Sequence, residues 1–503
     1  MPRTRPRPLS RYRHSPQPVP CLRPTQDPPQ QRPLYESVLT WISERLAQRG
    51  YPRPLCKRLA LLVTGLVAGE AATLSDVTST VHGLAITPAK EESVARRVLR
   101  LIDDGRLDPE TVLPALFADL VPALVADALR AHAANAQSGT HHHRRFMALR
   151  VIVDETSKAD QVHVLVAGLA YRGLVLPLAV RTWPQHGGLP DGAYWTAVGG
   201  LLWSVHRLLP PELRDHVLLV ADRAYGIARM LELGASLDWN WLVRVQWQTR
   251  VLRRDGTVCA IRDLVPRPGA LWLGHYDPPA TRDGQPARAD DPDDLAGAAP
   301  ADGAGAAAPV AVFRVTGWRA SQVVAAWPVG EAEPWLLVTS LPGTRARLRD
   351  YAQRWAVERL FLCWKSHGWG LDTCGLRDPV RLGRLLTGLV VATLWRLAAA
   401  LPVALQHLAD LALRASRRPQ PPAFWQLPLP LWSGPPAASA TAPPLPAGAA
   451  RPWAAKFSLF TLGTRACRHT PCRTATPALC WTFPDWEAPI WSLQAHQVYA
   501  GPT

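Results

Sequence analysis

Two stretches of the chain decide the predicted fold: residues 149–154, which read LRVIVD, and residues 217–222, which read VLLVAD. Each is a short, mostly apolar run that ends in an aspartate, which is typical of a buried strand in an α/β sheet. Residues 162–168 and 174–182 are two further strand candidates, and residues 171–173 between them predict a hairpin turn. The sequence therefore predicts three meandering strands and a fourth, buried strand in the same sheet.

Helices alternate with strands further along the chain. Residues 194–209 and 226–233 are predicted helices, residues 240–245 are a predicted strand, and a helical pattern runs from 345 to about 416. Between 247 and 340 the sequence instead shows short β-like runs, at 310–315, 322–327 and 335–339. The predicted fold class is therefore α/β: a mixed sheet with a β-strand insertion, preceded by an all-helical N-terminal domain.

The N-terminal part of the chain shows helical patterns with clear start signals. Thr87-Pro88 predicts a helix that begins at Pro88 and ends at 103–105, and Asp108 predicts the start of a second helix that runs to Leu129. The first helix is the best candidate for a DNA-facing helix, because it carries Arg96, Arg97 and Arg100. The alternative is an ordinary solvated helix face, and the sequence leaves both open.

Shifts in composition divide the rest of the chain. Residues 138–145, with three consecutive histidines, predict a polar hinge in preference to a metal site, and residues 277–309 predict an irregular loop. The cysteines at 467, 472 and 480 fit no standard zinc module. The predicted organisation is a disordered basic arm (1–34), a helical DNA-binding domain (35–138), an α/β core in two parts (146–246 and 341–416), a β-rich insertion (247–340) and an irregular Pro/Trp-rich tail (417–503).

The overall composition excludes several classes of protein. Lys and Arg number 56 against 40 Asp and Glu, a formal net charge of +16, and only five of the 56 are lysines. An arginine-rich, basic chain favours a polyanionic partner, because the guanidinium group matches phosphate and guanine well. Eight cysteines in 503 residues are too few for a disulfide scaffold, no signal peptide is visible, and the longest apolar stretch, 385–395, is too short to span a bilayer. We therefore expect a cytoplasmic protein with no membrane association.

Asp154 and Asp222, which end the two deciding stretches, are candidate metal ligands. Ligands of open α/β sheets bind at the carboxyl ends of strands, where two such acids would converge. Neighbouring carboxylates repel one another unless a cation lies between them, and Mg²⁺ prefers hard oxygen ligands. The alternative is that each aspartate only begins a turn after its strand.

A predicted helix at 345–370 adds a third acid. Its spacing places four ionisable residues in one narrow stripe: Tyr351, Arg354, Glu358 and Lys365. The alternative is a simple ion pair between Arg354 and Glu358, four residues apart on one helix face. Three carboxylates and a basic stripe together favour phosphodiester chemistry assisted by two Mg²⁺ ions, with arginine and lysine holding the flanking phosphates.

At these residues the sequence resembles DDE transposases of the insertion-sequence-four family. The family signature Y-x2-R-x3-E-x6-K is matched at all four positions by Tyr351, Arg354, Glu358 and Lys365. The first acid of the family lies in a D-x-T context, matched at 154–156, and the second often reads D-R-x-Y, matched at 222–225. The resemblance covers roughly residues 36–410.

The resemblance implies a fold, an activity and a set of partners. It implies a ribonuclease-H-like core that binds Mg²⁺, with Mn²⁺ as an alternative metal, through Asp154, Asp222 and Glu358. Double-stranded DNA would be the substrate: the helical domain would recognise the terminal inverted repeats of the element, and the free 3′-OH would be joined to target DNA. Phosphates near the transferred end would be held by Tyr351, Arg354 and Lys365, and the protein would act as a homodimer on paired DNA ends.

Some relatives stack a flipped base on a tryptophan of the insertion, for which Trp327 and Trp335 are the candidates here; a buried strand tryptophan is the favoured alternative. Two other classes of function also stay open. One is a DNA-binding protein without catalysis, either decayed or domesticated, and the other is a host nuclease built on the same core.

Overall fold

The structure is a computed structural model that describes residues 32–126, 149–171, 173–252, 257–274, 310–312, 319–328, 331–366 and 368–416. The predicted hinge at 138–145, the predicted loop at 277–309, the tail from 417 and nearly all of the basic arm lie outside the described residues.

Six helices of the described residues form the N-terminal region, as the sequence predicts: α1 (Arg32–Ala47), α2 (Arg53–Gly69), α3 (Leu74–Gly83), α4 (Glu91–Ile102), α5 (Pro109–Phe117) and α6 (Leu120–Ala126). The predicted start of α5 is confirmed, because the Asp108 side chain accepts a hydrogen bond from the Glu110 N–H and Pro109 occupies the first turn. These helices and the sheet share one hydrophobic core.

Two predicted helix boundaries in this region are wrong. Helix α4 begins at Glu91 instead of Pro88, because the Thr87 hydroxyl caps a local turn by accepting from the Ala89 N–H at 3.3 Å. The predicted helix from Asp108 to Leu129 is broken at 118–119, where α5 and α6 meet at an angle of 49°. Pro122 explains the break, since it has no N–H to donate and its ring would clash with the carbonyl of residue 118.

The predicted mixed α/β sheet is confirmed. Its first strands are β1 (Leu149–Lys158), β2 (Val162–Tyr171), β3 (Leu174–Pro184), β4 (Val217–Ala221) and β5 (Asn240–Arg244), with helices α7 (Ala193–His206) and α8 (Ala228–Ser236) between them. Strands β1 to β3 form the predicted antiparallel meander, and Gly173 takes a positive φ of 77° at its turn. Strand β4 pairs in parallel with both β1 and β5, giving the order β3-β2-β1-β4-β5, which is consistent with a ribonuclease-H-like core.

Strands from residues 247–340 extend this sheet. Strand β11 (Trp335–Thr339) pairs antiparallel with β5, β10 (Arg319–Ala326) pairs with β11, and β8 (Leu271–Gly274) pairs with β10. Among the described residues, the main mixed sheet thus has eight strands. The beginning of β10 also pairs with β9 (Val310–Val312), which leads to β6 (Arg250–Leu252) and β7 (Val258–Ala260) in a second sheet. Strands β6, β7 and β8 were not predicted, because runs of three or four residues carry almost no periodicity.

The C-terminal helical stretch is not continuous. It consists of α9 (Ala346–Ala352), α10 (Trp355–Trp364) and α11 (Pro379–Ser416), so the predicted helix at 345–370 is interrupted at 353–354 and ends at Trp364. The chain leaves α10 because Trp369 is buried under α2, where its indole N–H donates to the Leu66 carbonyl at 2.6 Å. Gly370, with a φ of +63°, allows the turn that this burial requires.

Helix α11 is apolar enough to cross a membrane on length and composition alone. The part of α11 that meets these criteria is Pro379–Ala400. If each of two bent helix pairs, α2 with α3 and α5 with α6, is counted as one span, the described residues contain three such spans. The expectation that no stretch is long enough was therefore wrong. In the structure, however, 83% of the apolar window of α11 is buried inside the protein. Its fully buried Arg396 donates to the Leu66 carbonyl at 3.1 Å and so caps the C-terminus of α2. We therefore interpret α11 as a core helix.

Candidate active site

Strand register brings the two predicted aspartates side by side. The last parallel pair of β1 and β4 joins Val153 to Ala221, so the next residue of each strand, Asp154 and Asp222, lies at the carboxyl end of this ladder. Strand β1 does not end at Asp154, as the sequence suggested, but continues to Lys158 through its antiparallel pairing with β2. The two aspartates therefore meet where the parallel pairing of β1 with β4 ends, and not where β1 itself ends.

A tight turn fixes the position of Asp222. A 3₁₀ turn over Arg223–Tyr225 follows it, and Gly226 then packs against the end of β5. A Cβ atom on Gly226 would lie 2.6 Å from the Arg244 carbonyl oxygen, closer than real Cβ contacts occur. Glycine is therefore required for this close approach of two backbones.

A buried ion pair anchors the third element, α9, to β1. Asp350 is fully buried and accepts two hydrogen bonds from Arg150 of β1, with N–O distances of 2.6 and 3.0 Å, and it pairs with Arg347 at 3.2 Å. Sequence reasoning missed this contact. The signal for it was Arg150 itself, since an arginine inside an apolar strand needs a buried partner.

Arg354 brings the three acids together. Its Nη1 lies 3.1 Å from Oδ2 of Asp154 and 3.8 Å from Oδ2 of Asp222, while its Nη2 lies 2.6 Å from Oε1 of Glu358. The Tyr351 hydroxyl donates to Oδ1 of Asp222 at 3.3 Å. The break before α10 does not disturb this arrangement, because a tight turn, with the Arg354 N–H donating to the Tyr351 carbonyl, joins the two helices.

Lys365 does not join this cluster, so the predicted single stripe of four residues is wrong at its last position. The stripe assumed an uninterrupted helix, but Lys365 follows the end of α10 with non-helical backbone angles. The residue is half-buried, and its ammonium group makes no hydrogen bond or ion pair with the residues that the structure describes.

The three arginines of the predicted DNA-facing helix lie elsewhere. Arg96, Arg97 and Arg100 are all exposed on α4, on the side opposite the buried Val94 and Val98. None of them forms an ion pair with an acid of the cluster in the described part of the chain. Helix α4 is held to α11, since Arg384 donates to the Ile102 carbonyl at 2.9 Å and Arg381 pairs with Asp103 at 3.0 Å. The arginines therefore form a solvent-facing basic surface on a fixed helix.

Burial and charge perturb the titration of the cluster. Burial raises the pKa of Asp154 to about 6, and the neighbouring carboxylates of Asp222 and Glu358 add to the effect, although the Glu155 N–H and Arg354 oppose it. Burial lowers the pKa of Arg354, but the anionic groups around it outweigh this and raise it above its ordinary value. Arg354 is therefore positively charged, and Asp154 holds its proton to a higher pH than an ordinary aspartate does.

A comparison with protein families bears directly on this cluster. Residues 201–395 match the family model for the transposase DDE domain. The match supports a DDE transposase, and it includes Asp222, Arg354 and Glu358 but not Asp154. A comparison with curated proteins found no match.

Transposase DDE domains generally use divalent metal ions, and the three acids of the cluster are chemically suited to bind one. Hard carboxylate oxygens at the carboxyl end of a parallel strand pair are what Mg²⁺ prefers. Their present arrangement does not form a ligand cage: among the described residues, no group of three His, Cys, Asp or Glu side chains is close enough to hold a metal ion. A guanidinium group, that of Arg354, lies between the carboxylates instead.

A cleft of about 510 Å³ is lined in part by Arg223, the residue that follows Asp222 of the cluster. Its aromatic walls include Trp327 and the half-exposed Trp247, against which the Arg262 guanidinium packs at 4.5 Å. Trp335, the other predicted base-stacking candidate, is a buried strand residue whose ring meets that of Tyr351 edge-on at 5.6 Å. Trp335 is thus a buried strand tryptophan, which was the favoured alternative, while Trp327 faces the cleft.

Proposed function

We propose that this chain is a DNA transposase of the insertion-sequence-four family, which cleaves at the ends of its own element and transfers the 3′-OH strands into target DNA. The observation that carries the proposal is the meeting of Asp154, Asp222 and Glu358, from three distant segments, on one arginine. The match to the transposase DDE domain supports it, because a transposase implies DNA substrates. We place the activity in the cytoplasm.

The acids would hold Mg²⁺, or Mn²⁺ in its place. When bound, the metal would activate the attacking hydroxyl and stabilise the leaving oxyanion. Asp154 and Asp222 are fixed by strand register and so would present their oxygens from a rigid sheet, whereas Glu358 would approach from the first turn of α10. Asp154 must be ionised to act as a ligand, and a bound cation would favour its ionised form.

Phosphate contacts would come from the residues beside the acids. Arg354 and Tyr351 lie against the carboxylates and would bind the phosphate next to the reacting bond, with Arg354 matching it through two N–H groups. Lys365, half-buried outside the cluster, would bind a flanking phosphate. Such fixed charges supply most of the catalysis in phosphoryl transfer.

Recognition of the element's ends would fall to α4. Its exposed Arg96, Arg97 and Arg100 form a basic surface suited to a DNA groove or backbone. Two copies of the chain would act on paired ends as a homodimer, which light scattering of the protein with and without end DNA would test.

The test of the proposal is cleavage and strand transfer by the purified full chain. The substrate is a duplex copied from the inverted repeats that we expect to flank the coding region. We expect Mg²⁺-dependent cleavage followed by joining to a target plasmid, and Asp154→Ala and Glu358→Ala should reduce both to background. Glu212→Ala, which removes an exposed carboxylate just before β4, is the matched control and should act like the wild type.

Each outcome has a distinct meaning. Cleavage without joining would identify a nuclease on the same core, and end binding without cleavage would identify a DNA-binding protein that has lost catalysis. Cleavage by Asp154→Ala or Glu358→Ala at the wild-type rate would overturn the assignment of these acids.

A further inference from the structure

Arg354 holds the centre of the acidic cluster. Its side chain is only 5% exposed, and it pairs with three carboxylates that come from β1, the turn after β4, and α10. Within the part of the chain that the structure describes, no other cationic side chain forms an ion pair with these three acids. One guanidinium therefore compensates a group of carboxylates that would otherwise repel one another.

This position conflicts with metal binding. Oδ2 of Asp154 accepts a hydrogen bond from Nη1 at 3.1 Å, and Oδ2 of Asp222 lies 3.8 Å from the same nitrogen, so the guanidinium occupies the space between the oxygens that a divalent ion would need. A metal ion among these oxygens would lie against the guanidinium, and two cations in one partly buried site repel one another strongly. Arg354 must therefore leave before the acids can close around a metal.

We propose that Arg354 is a resident counter-cation, which keeps the acids from binding a divalent metal until a DNA phosphate draws its guanidinium away. This inference rests on the proposed function, since it takes the three acids as the metal ligands. It adds that metal loading and DNA binding are coupled through one side chain.

The surroundings of Arg354 fit a side chain that changes partners. Its buried Nε has no hydrogen-bond partner among the described residues. The guanidinium is therefore held by its ion pairs with the carboxylates, which it would exchange for a phosphate. Trp355, which is 43% exposed, has its ring 5.2 Å from the guanidinium carbon and offers a cation–π surface on the way to solvent. A phosphodiester provides two oxygens in the geometry that a guanidinium binds best.

Linkage makes the coupling reciprocal. If DNA tightens metal binding by some factor, the metal must tighten DNA binding by the same factor. Couplings of this kind are typically about 5- to 150-fold. The free protein should therefore bind metal weakly and the DNA-bound protein tightly, which would confine cleavage chemistry to the assembled complex.

The experiment measures Mn²⁺ binding by the full chain, by titration calorimetry and by the loss of the free-ion electron paramagnetic resonance signal. The wild type is compared with Arg354→Gln, with and without a short duplex carrying the element's end. Arg349→Gln is the matched control, because it removes an exposed arginine from α9 without touching the cluster. No step requires cleavage, and a duplex that ends in a 3′-dideoxynucleotide keeps strand joining out of the measurement.

We expect the wild type and Arg349→Gln to bind Mn²⁺ about 10-fold or more tightly when DNA is present. Arg354→Gln should bind Mn²⁺ that tightly without DNA, and DNA should add little. The inference is overturned if Arg354→Gln binds Mn²⁺ no more tightly than the wild type, or if wild-type binding does not respond to DNA. The second arm needs no variant, so it holds even if Arg354→Gln fails to fold.

Failure of the proposed function gives a different pattern. If Mn²⁺ binds neither protein, with or without DNA, or if Asp154→Asn and Asp222→Asn bind it as well as the wild type does, then the acids are not the metal ligands. In that case both the proposed function and this inference fall.

Discussion

Replacement of Asp154 by asparagine should stabilise the protein at neutral pH. The pKa of Asp154 rises from 3.8 to about 6 on folding, chiefly because the carboxyl group is buried, and its side chain is only 14% exposed. A raised carboxyl pKa means that Asp154 contributes stability below about pH 4, and that this contribution is lost as the pH rises through 6. Two pKa units correspond to roughly 3 kcal/mol. Asparagine imitates the protonated carboxyl group and avoids that loss.

Urea unfolding of the wild type and Asp154→Asn at several pH values, in buffer with a chelator, measures this effect. The two proteins should have similar free energies of unfolding near pH 4, and Asp154→Asn should be more stable by up to roughly 3 kcal/mol near pH 7.5. Titrating groups outside the cluster are common to both proteins, so they cancel in the difference. If the wild type is instead the more stable protein at pH 7.5, the Arg354 ion pair outweighs the burial of Asp154 and the reasoning is wrong.

Three further predictions concern other parts of the structure. Asp350→Ala should lower the free energy of unfolding by about 3–5 kcal/mol, because it leaves two arginines without their buried carboxylate; an effect below about 1 kcal/mol in urea unfolding would contradict that role. Gly226→Ala should destabilise the protein by about 1–3 kcal/mol, since its Cβ would meet the Arg244 carbonyl, and thermal unfolding at a wild-type midpoint would argue against the contact. Arg96→Ala combined with Arg97→Ala should weaken DNA binding and flatten its dependence on salt, and an unchanged salt slope would move the binding face away from α4.

The central sheet could be predicted from sequence because its strands are local. Residues 149–154 and 217–222 are apolar runs that end in acids, and such runs indicate the buried strands β1 and β4, although their parallel pairing joins distant parts of the chain. The very short strands β6, β7 and β8 could not be predicted in this way, because runs of three or four residues carry almost no periodicity, and β6 and β8 also pair with strands far along the chain.

The candidate site could be predicted in its members but not in its arrangement. The spacing of Tyr351, Arg354 and Glu358 on adjoining helical turns brought them to one face, as expected. Lys365 was lost because the helix ends where Trp369 becomes buried, and no residue near Lys365 signals that long-range contact. Spacing along the helix indicated a pair between Arg354 and Glu358, but it could not show that Asp154, 200 residues away, shares the same guanidinium.

The most direct test of the account is the position of a divalent ion in a crystal of the full chain bound to end DNA and Mn²⁺. The anomalous scattering of Mn²⁺ locates the ion without reference to the protein. We predict a peak about 2 Å from carboxylate oxygens of Asp154, Asp222 and Glu358, with the Arg354 guanidinium turned to a DNA phosphate. A peak bound to other residues, or three carboxylates still paired with Arg354 beside bound DNA, would contradict it.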